Sequence, residues 1–522
     1  MNKKRALAVL ALTSAVGLAV TACAGAAPTS ETAAGSTDTI NTELWYAPSV
    51  FDPAIISSDS DGDAARLGFD TLIRPGETEG FIGGLATEWE AASATDYVFT
   101  IRDDATCADG TVITPTIVAD SLDYFATVDN AAAQAARSSV FGPETPTITA
   151  DDAAGTVTVA LAAPYADVLQ GLSQSNTGII CPAGLADLEG LAAGTVDGAW
   201  SGPYTLESST AGVGATYTLR DDYDAWPDWS VEGTPAKTIN ITVSSDSNTS
   251  ANLLADGGID ITRFYDANVE RFVDDDAFSY VTMPSSANTL IFNQTPGAGS
   301  VFLDNIELRT AVAQAIDPEG FSAAALGGLA TPQTSIDAST VDCVIDGTDL
   351  LPGLDPAAAA KVLAGTTIRL LTVSNWDPAA DFLAESLRAG GATVEVSALD
   401  PADWQSQMRG EPEKWDLAVN ATSVANPLSQ AIATYVGPTA ANGGRNIAGV
   451  DNAEGYAFLQ EGLAAADPEA QCEAFGNAQR TILEHVDVVP LVTDTHYVIA
   501  REGYASTVFS NNWDISSMRI IG

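Results

Sequence analysis

The sequence predicts an α/β protein whose second half is built on a parallel sheet and whose first half is mixed and rich in hairpins. Three observations carry this prediction. The 522 residues are 46% hydrophobic and 17% charged, a globular composition that allows a large core. Segments alternating with period two recur through residues 97–243, as strands do. Through residues 356–492 strand-like and helix-like segments alternate, which is the pattern of a βαβ unit.

The first half contains the period-two segments. Residues 97–102 and 237–243 each predict a strand, and residues 147–155 with 156–161 predict a hairpin around an Asp/Gly turn. A short helix over residues 248–254 should stop at the following glycine pair.

The second half is richer in helix. A helix over residues 304–316 has Asp304 as a plausible N-cap. Helices are also expected at 356–363, 379–389 and 469–485, and strands at 367–373, 392–398, 415–419 and 488–492. The order strand, helix, strand at 367–398 predicts two parallel neighbours.

Charge and motifs exclude several functions. With 21 basic against 69 acidic residues, the net charge of −48 argues against nucleic-acid binding and against docking on anionic lipid, and favours a soluble monomer. The two histidines, His485 and His496, are too few for a histidine-rich metal site, and we expect neither a metal nor another cofactor. The sequence has no GxxxxGK[ST], HExxH or GxSxG motif, so we expect neither an ATPase nor any other enzyme.

The N-terminus has the features of an export signal. Lys3, Lys4 and Arg5 precede an apolar run at 6–20, and small residues lead into Cys23, as in a bacterial lipobox. We therefore predict a signal peptide at 1–22, lipidation of Cys23, and a flexible tether at 23–39 rich in Ala, Thr, Ser and Gly. The protein would then be lipid-anchored on the extracytoplasmic face of the cell membrane, with no other stretch able to span it. The alternative is an ordinary secretory signal with Cys23 incidental.

Four further cysteines, Cys107, Cys181, Cys343 and Cys472, suggest two disulfides in an exported protein. Three pairings are possible. The simplest joins Cys107 to Cys181 and Cys343 to Cys472; four free thiols are the alternative. The absence of a CxxC spacing argues against redox catalysis and a zinc knuckle.

An ordered set of short motifs resembles one family across nearly the whole chain after residue 39. The motifs lie at 51–53 (FDP), 84–89 (GLATEW), 97–103 (YVFTIRD), 108–111 (ADGT), 119–122 (ADSL), 201–204 (SGPY), 219–223 (LRDDY), 254–260 (LADGGID), 292–293 (FN), 308–317 (LRTAVAQAID) and 487–491 (DVVPL). Their order and spacing resemble the extracytoplasmic solute-binding proteins of ABC importers, family 5, which includes oligopeptide and dipeptide binders.

The resemblance implies a two-lobed, type II-like periplasmic-binding fold with an extra mixed α+β subdomain inserted in the first lobe. Lobe I would comprise 40–265 and 490–522, with the insertion at about 60–195, and lobe II would comprise 266–489. It also implies capture of a solute by lobe closure and delivery to the permease subunits. A secreted hydrolase is a lower-ranked alternative, and a sensor or adhesion lipoprotein without transport is another.

Ligand contacts are expected from aromatic, amide and hydroxyl side chains near predicted strand ends. Trp45 and Tyr46 are placed on the first strand, Asn293 belongs to the FN motif, and Trp376 ends an apolar strand. The candidates are Trp45, Tyr46, Asn293, Trp376, Trp404, Asn420, Thr422 and Asn426.

The loop over residues 420–427 departs from the peptide binders of the family, which usually carry there an Asp that pairs with the peptide's α-ammonium. The corresponding positions are Val424, Ala425 and Asn426, and a neutral amide gives no charge-assisted hydrogen bond. A small peptide remains the first ligand class, followed by an oligosaccharide or another neutral solute. Residues 59–63 (DSDGD) are interpreted as a solvated acidic loop rather than a calcium site.

Overall fold

A computed structural model describes residues 38–77, 80–93, 95–374, 376–465, 467–509 and 511–521. The predicted signal peptide, the lipidation of Cys23 and nearly all of the tether lie outside these residues.

The strands are Thr39–Leu44 (β1), Ile73–Pro75 (β2), Phe81–Gly83 (β3), Ala86–Ala91 (β4), Asp96–Ile101 (β5), Thr147–Asp151 (β6), Thr156–Ala160 (β7), Tyr204–Thr210 (β8), Gly214–Leu219 (β9), Thr238–Val243 (β10), Ile261–Phe264 (β11), Phe278–Phe292 (β12), Thr331–Pro332 (β13), Thr367–Val373 (β14), Thr393–Leu399 (β15), Leu417–Ser423 (β16), Val488–Arg501 (β17), Tyr504–Ala505 (β18), Val508–Phe509 (β19), Asn512–Trp513 (β20) and Arg519–Ile520 (β21). The α-helices are Asp59–Gly68 (α1), Pro115–Thr127 (α2), Ala131–Phe141 (α3), Val168–Leu172 (α4), Pro182–Ala186 (α5), Leu188–Ala193 (α6), Ser247–Asp256 (α7), Ile306–Ala315 (α8), Pro318–Leu326 (α9), Pro356–Leu363 (α10), Asp377–Ala389 (α11), Pro401–Gly410 (α12), Leu428–Tyr435 (α13), Ala453–Leu463 (α14) and Pro468–Glu484 (α15).

One large sheet runs through the molecule in the order β15-β14-β16-β12-β17-β11-β1-β10-β9-β8, with β13 paired to β17. At one end β14 is parallel to both β15 and β16, with α11 as the crossover helix between β14 and β15. The predicted parallel βαβ unit is therefore confirmed. At the other end β1 and β10 are parallel, whereas β8, β9 and β10 form an antiparallel meander.

Two long strands join the two ends of this sheet. The 15-residue β12 pairs with β17 from Phe278↔Arg501 to Ile291↔Val488, with register shifts at 284/287 and 288/289. The C-terminal part of β12 also pairs with β16, and β17 pairs with β11. The two strands thus run from one part of the sheet into the other. The predicted lobe limits at 265/266 and 489/490 remain predictions.

A separate four-stranded sheet, β4-β5-β7-β6, packs with α2 within the first half of the chain. Its core holds Phe99, Val118, Leu122 and Val157, all nearly fully buried. The inward side chains of β5 and β7 alternate with more exposed ones, which is the period-two pattern from which both strands were predicted.

Local sequence signals define many helix ends. Thr114 caps α2 by accepting a hydrogen bond from the Ile117 N–H, and Pro115 occupies the first turn, where no amide hydrogen is needed. Asp467 and Pro468 begin α15 in the same way. The prediction of Asp304 as a cap is wrong, because Asn305 caps α8 and Asp304 has a positive φ of 53°.

Three further predictions are corrected. Trp45 and Tyr46 follow β1, which ends at Leu44, rather than lying on it. Residues 420–423 belong to β16, so the predicted loop is shorter. Residues 59–63 are not a loop, because Ser58 caps α1 and its acidic residues favour the positive end of the helix dipole.

Two disulfides connect Cys107 with Cys181 and Cys343 with Cys472, which confirms the simplest pairing. Within the residues described, no helix is both long and apolar enough to cross a membrane. The same residues contain no group of three or more His, Cys, Asp or Glu side chains placed to hold a metal ion.

Candidate functional site

The main cavity of the candidate site, of about 460 Å³, lies where the two parts of the large sheet meet. Its wall is drawn from α1, the segment around α4, β11, β12, β20 and the turn between β16 and α13. The sequence separation of these segments is large, so the site exists only in the folded chain. A volume of this size is typical of small-molecule sites.

Uncharged polar groups dominate the wall. The carboxamides include Gln170, Gln174, Asn176, Asn426, Gln430 and Asn512, and the hydroxyls include Ser58, Ser139, Ser175, Ser285 and Ser423. The charged side chains among the lining residues are Asp59, Asp63 and Arg263. Such a wall offers both hydrogen-bond donors and acceptors while adding little net charge.

Arg263 extends from β11 beside two tryptophans. Its guanidinium carbon lies 4.4 Å from the centroid of the Trp45 ring and 5.9 Å from that of Trp513, distances typical of cation–π contacts. Within the residues described, its buried Nε has no hydrogen-bond partner. The arginine is thus held by stacking, and a donor remains unused.

Two further polar side chains in the wall have an unused acceptor. The Oδ2 of Asp63 and the Oδ1 of Asn176 are buried and lack hydrogen-bond partners in the described part of the chain. Burial raises the pKa of Asp63 to about 7, although the positive charges of Arg263 and Arg66 act in the opposite direction. The three side chains therefore have unsatisfied hydrogen-bonding capacity in one wall.

His496 is buried beside Trp45 and Tyr265, at ring-centroid distances of 5.8 and 5.3 Å. Burial, reinforced by the charge of Arg263, lowers its pKa to about 3. The imidazole is therefore neutral at physiological pH and packs as an aromatic ring.

A second cavity of about 300 Å³ adjoins the first and shares Gln170, Asn426 and Asn512 with it. Beside it, hydrogen bonds join the segment at 166–170 to residues more than 250 positions later. The Gln170 side chain donates to the Ala425 carbonyl at 3.0 Å, and the Ala166 N–H donates to the Leu463 carbonyl at 3.2 Å. These contacts close one edge of the cleft.

Asp167 is the centre of that edge. Its carboxylate accepts hydrogen bonds from the Ser429 hydroxyl and from the Gln471 amide. Burial raises the pKa of Asp167 to about 6, while the hydrogen bond from Ser429 favours the ionised form. We call Asp167, Gln170, Ser429 and Gln471 the cleft-edge cluster.

The sequence-predicted candidates divide into three groups. Asn426 lines both cavities. Trp45 and Tyr46 line a smaller cavity of about 80 Å³ that shares Arg263 with the main one, and Tyr46 is 65% exposed. The remaining candidates, Asn293, Trp376, Trp404, Asn420 and Thr422, are not among the residues that line these three cavities.

That third group has contacts within the protein. Asn293 is fully buried and its amide donates to the carbonyls of Pro412 and Trp415. Trp376 packs edge-on to Phe321, and Trp404 packs against the core around α13 and α15. The Asn420 amide donates to the Thr422 hydroxyl at 3.2 Å.

Sequence reasoning did not single out Asp63, Asn176, Arg263 or Trp513 for the site. Each is a polar or aromatic residue in a segment that looks ordinary by itself. One signal was available, because Arg263 is a cation within a strand of otherwise apolar or hydroxyl residues, ITRF. Asp63 was hidden because its segment was interpreted as a loop.

The chain was compared with protein families and with known proteins. The model of the bacterial extracellular solute-binding proteins, family 5, matches residues 80–443. A comparison with curated proteins found no significant match.

Three solved structures illustrate the similarity. A substrate-binding protein from Microbacterium hydrocarbonoxydans, complexed with 4-hydroxybenzoate hydrazide, is 36% identical over 92% of this chain and 100% of its own, with a TM-score of 0.77. CtaP from Listeria monocytogenes is 18% identical over 93% and 99% of the two chains, at a TM-score of 0.77. DppA from Helicobacter pylori, in complex with the peptide STSA, is 16% identical over 93% and 98%, at 0.72.

Proposed function

Because the chain belongs to family 5 of the bacterial extracellular solute-binding proteins, we propose that its cleft captures a small uncharged polar solute. Family membership makes the protein the non-enzymatic substrate-binding component of an ABC importer, with a permease as its partner. It also gives the chain the periplasmic-binding fold that the resemblance implied.

The lining of the main cavity carries this proposal. Carboxamides and hydroxyls supply paired donors and acceptors, and one arginine is accompanied by two carboxylates. A strongly charged ligand would find too few opposite charges in this wall, and burying an unpaired charge is costly. The relative complexed with an uncharged aromatic hydrazide is similar over 92% of this chain and supports the same class.

A short peptide is the second candidate, and a specific observation favours it. Asn426 occupies the cleft where an ammonium-binding Asp was expected, yet Asp59 and Asp63 on the facing helix α1 supply carboxylates. A peptide α-ammonium could pair with those residues instead. The oligosaccharide alternative receives less support, since Trp376 and Trp404 pack elsewhere and, within the described part of the chain, Trp513 is the only tryptophan that lines the main cavity.

We further propose that lipidated Cys23 anchors the protein on the extracytoplasmic face of the cell membrane, and that it acts as a monomer. Ligand capture then proceeds by closure of lobe I (40–265 and 490–522) on lobe II (266–489). A solute that contacts both walls stabilises the closed state in proportion to its differential affinity, and the closed state docks on the permease.

Native mass spectrometry of the protein, purified gently from its own host, tests the ligand class. A discrete uncharged solute in the bound fraction is the expected result. Adducts that fragment into amino-acid ladders would establish the peptide candidate, whereas loss of hexose or pentose units would establish a sugar binder. If only bare protein is seen, binding of neutral solutes is measured by thermal shift, and no stabilisation by any of them would contradict the proposal.

A further inference from the structure

We infer that Asp63, Asn176 and Arg263 form a recognition site for an amide-type group, a primary amide or an acyl hydrazide, at the end of the ligand. This inference rests on the proposed function, because it assumes that the main cavity is the ligand site. It adds the functional group that is selected and the residues that select it.

The first step is the shared location of the three side chains. They come from α1, from the segment after α4 and from β11, and all three line the same cavity. Among the described residues, each has one buried polar atom without a hydrogen-bond partner: Oδ2, Oδ1 and Nε respectively. Within the described residues no hydrogen bond or ion pair engages these three lining side chains, so their remaining polar atoms are available to a ligand in the cavity.

The second step concerns the two charges. The positive charge of Arg263 is close enough to lower the pKa of Asp63 against the effect of burial. Within the residues described, the Asp63 carboxylate and the Arg263 guanidinium nevertheless form no ion pair. Opposite charges that face one cavity without neutralising each other can be bridged by a group with a donor beside an acceptor.

The donors and acceptors of the three side chains match those of an amide or hydrazide. Arg263 is donor-only and the Asn176 oxygen is an acceptor, while Asp63, with a pKa of about 7, is an acceptor only once it is ionised, above that pH. An amide or hydrazide end presents a carbonyl oxygen to the arginine and N–H groups to the two oxygens. A carboxylate has no N–H group, and its second oxygen would repel the acceptor oxygens of Asp63 and Asn176. An ester also lacks an N–H group, so both of these oxygens would remain without a donor. Rejection of a ligand that leaves buried polar groups unpaired is a strong source of specificity.

The rest of the ligand would lie beside Trp513. Trp513 lines the same cavity, and its ring contacts the guanidinium of Arg263. The ring of Trp45 makes the second contact with that guanidinium. An aromatic body attached to the amide end would pack against Trp513, which is otherwise 6% exposed.

Calorimetry with four matched probes tests the site: 4-hydroxybenzoate hydrazide, 4-hydroxybenzamide, 4-hydroxybenzoate and methyl 4-hydroxybenzoate. We expect the hydrazide and the amide to bind about 10- to 100-fold more tightly than the acid and the ester. Equal affinity for all four, preference for the acid, or binding of none would overturn the inference. The importer function would survive each of those results if native mass spectrometry still showed another bound solute.

Variants separate recognition from folding. Arg263→Met keeps the aliphatic stem beside Trp45 but removes the donors, and Asp63→Asn removes the charge. Both should reduce the ratio of hydrazide to acid affinity by about tenfold or more. Arg480→Met, at an exposed position of α15, is the matched control and should leave the ratio unchanged. A purely structural role would weaken all probes equally and would leave the ratio at its wild-type value.

Discussion

At the scale of single residues, the structure separates polar side chains that hold the fold from those that face the cleft. Asn293 and Asn426 were both predicted as ligand contacts. Asn426 lines the cavities, whereas the side chain of Asn293 forms its hydrogen bonds with backbone groups. The two differ in burial and in partners, neither of which is visible in the residue type.

The first prediction concerns Asn293. Asn293→Ala removes the amide donor from the buried carbonyl of Trp415 and from the partly buried carbonyl of Pro412. We expect the free energy of unfolding to fall by about 2–3 kcal/mol, with the ligand Kd unchanged. Urea denaturation and calorimetry measure the two quantities. Asn248→Ala, at an exposed position of α7, is the control, and a large change in Kd would contradict the structural role.

The second prediction concerns Asp337, which is 1% exposed and whose pKa burial raises to about 7. The folded state then holds a proton that the unfolded state releases near pH 4, so stability falls as pH rises from about 4 to about 7. Asp337→Asn removes this titration. We expect it to raise the free energy of unfolding at pH 8 by at least about 1 kcal/mol and to change it little at pH 4. Equal effects at both pH values would show that the carboxyl does not titrate as described.

At the scale of elements, the cleft-edge cluster links α4 and the residues before it to α13 and α15. Its contacts join chain segments more than 250 residues apart, and we expect these hydrogen bonds to form only when the cleft is closed. Hydrogen bonds made in one conformation alone shift the equilibrium between open and closed states, and with it the apparent affinity.

The third prediction follows from that linkage. Asp167→Ala removes the acceptor of both Ser429 and Gln471. We expect about tenfold weaker ligand binding and a larger radius of gyration for the ligand-bound protein in X-ray scattering. Gln134→Ala, at an exposed position of α3, serves as the control. Unchanged affinity together with an unchanged radius would show that these contacts do not hold the cleft closed.

The same scale shows what could be predicted from sequence. Helix α10 and strand β14 have the predicted limits, because a local period, a proline in the first turn and a following glycine are sufficient to define them. The site could not be predicted in this way. Asp63, Asn176, Arg263 and Trp513 are far apart in the chain, and only the packing of helix α1, strand β11 and the C-terminal segment brings them to one wall. Strand β17 was predicted as five residues and is fourteen long, since its pairing with β12 extends it.

At the scale of the whole molecule, acidic charge is the dominant property. The net charge is −48, and removal of residues 1–22, which hold three basic and no acidic residues, would leave −51. Few of the acids are paired, with ten ion pairs between an arginine or lysine and a carboxylate among the described residues. Repulsion among the rest opposes compaction and is screened by salt.

The fourth prediction is therefore a salt dependence. The Tm should rise between 10 and about 300 mM NaCl, because the Debye length shortens from about 30 Å to below 10 Å. Differential scanning calorimetry at constant pH measures it. A Tm that falls with salt would show that attractive pairs such as Arg74 with Asp70 and Asp514 dominate instead.

The position of β17 within the central sheet sets the order in which the chain can assemble. This strand, at residues 488–501, separates β12 from β11, and β1 pairs with strands about 200 residues later. Pairing across such separations is slow, since long loops must close first. A partly synthesised chain of fewer than about 490 residues lacks the strand that joins the two parts of the sheet. The polypeptide is thus kept from completing its fold until almost all of it has been made, which would suit the export that its N-terminal residues predict.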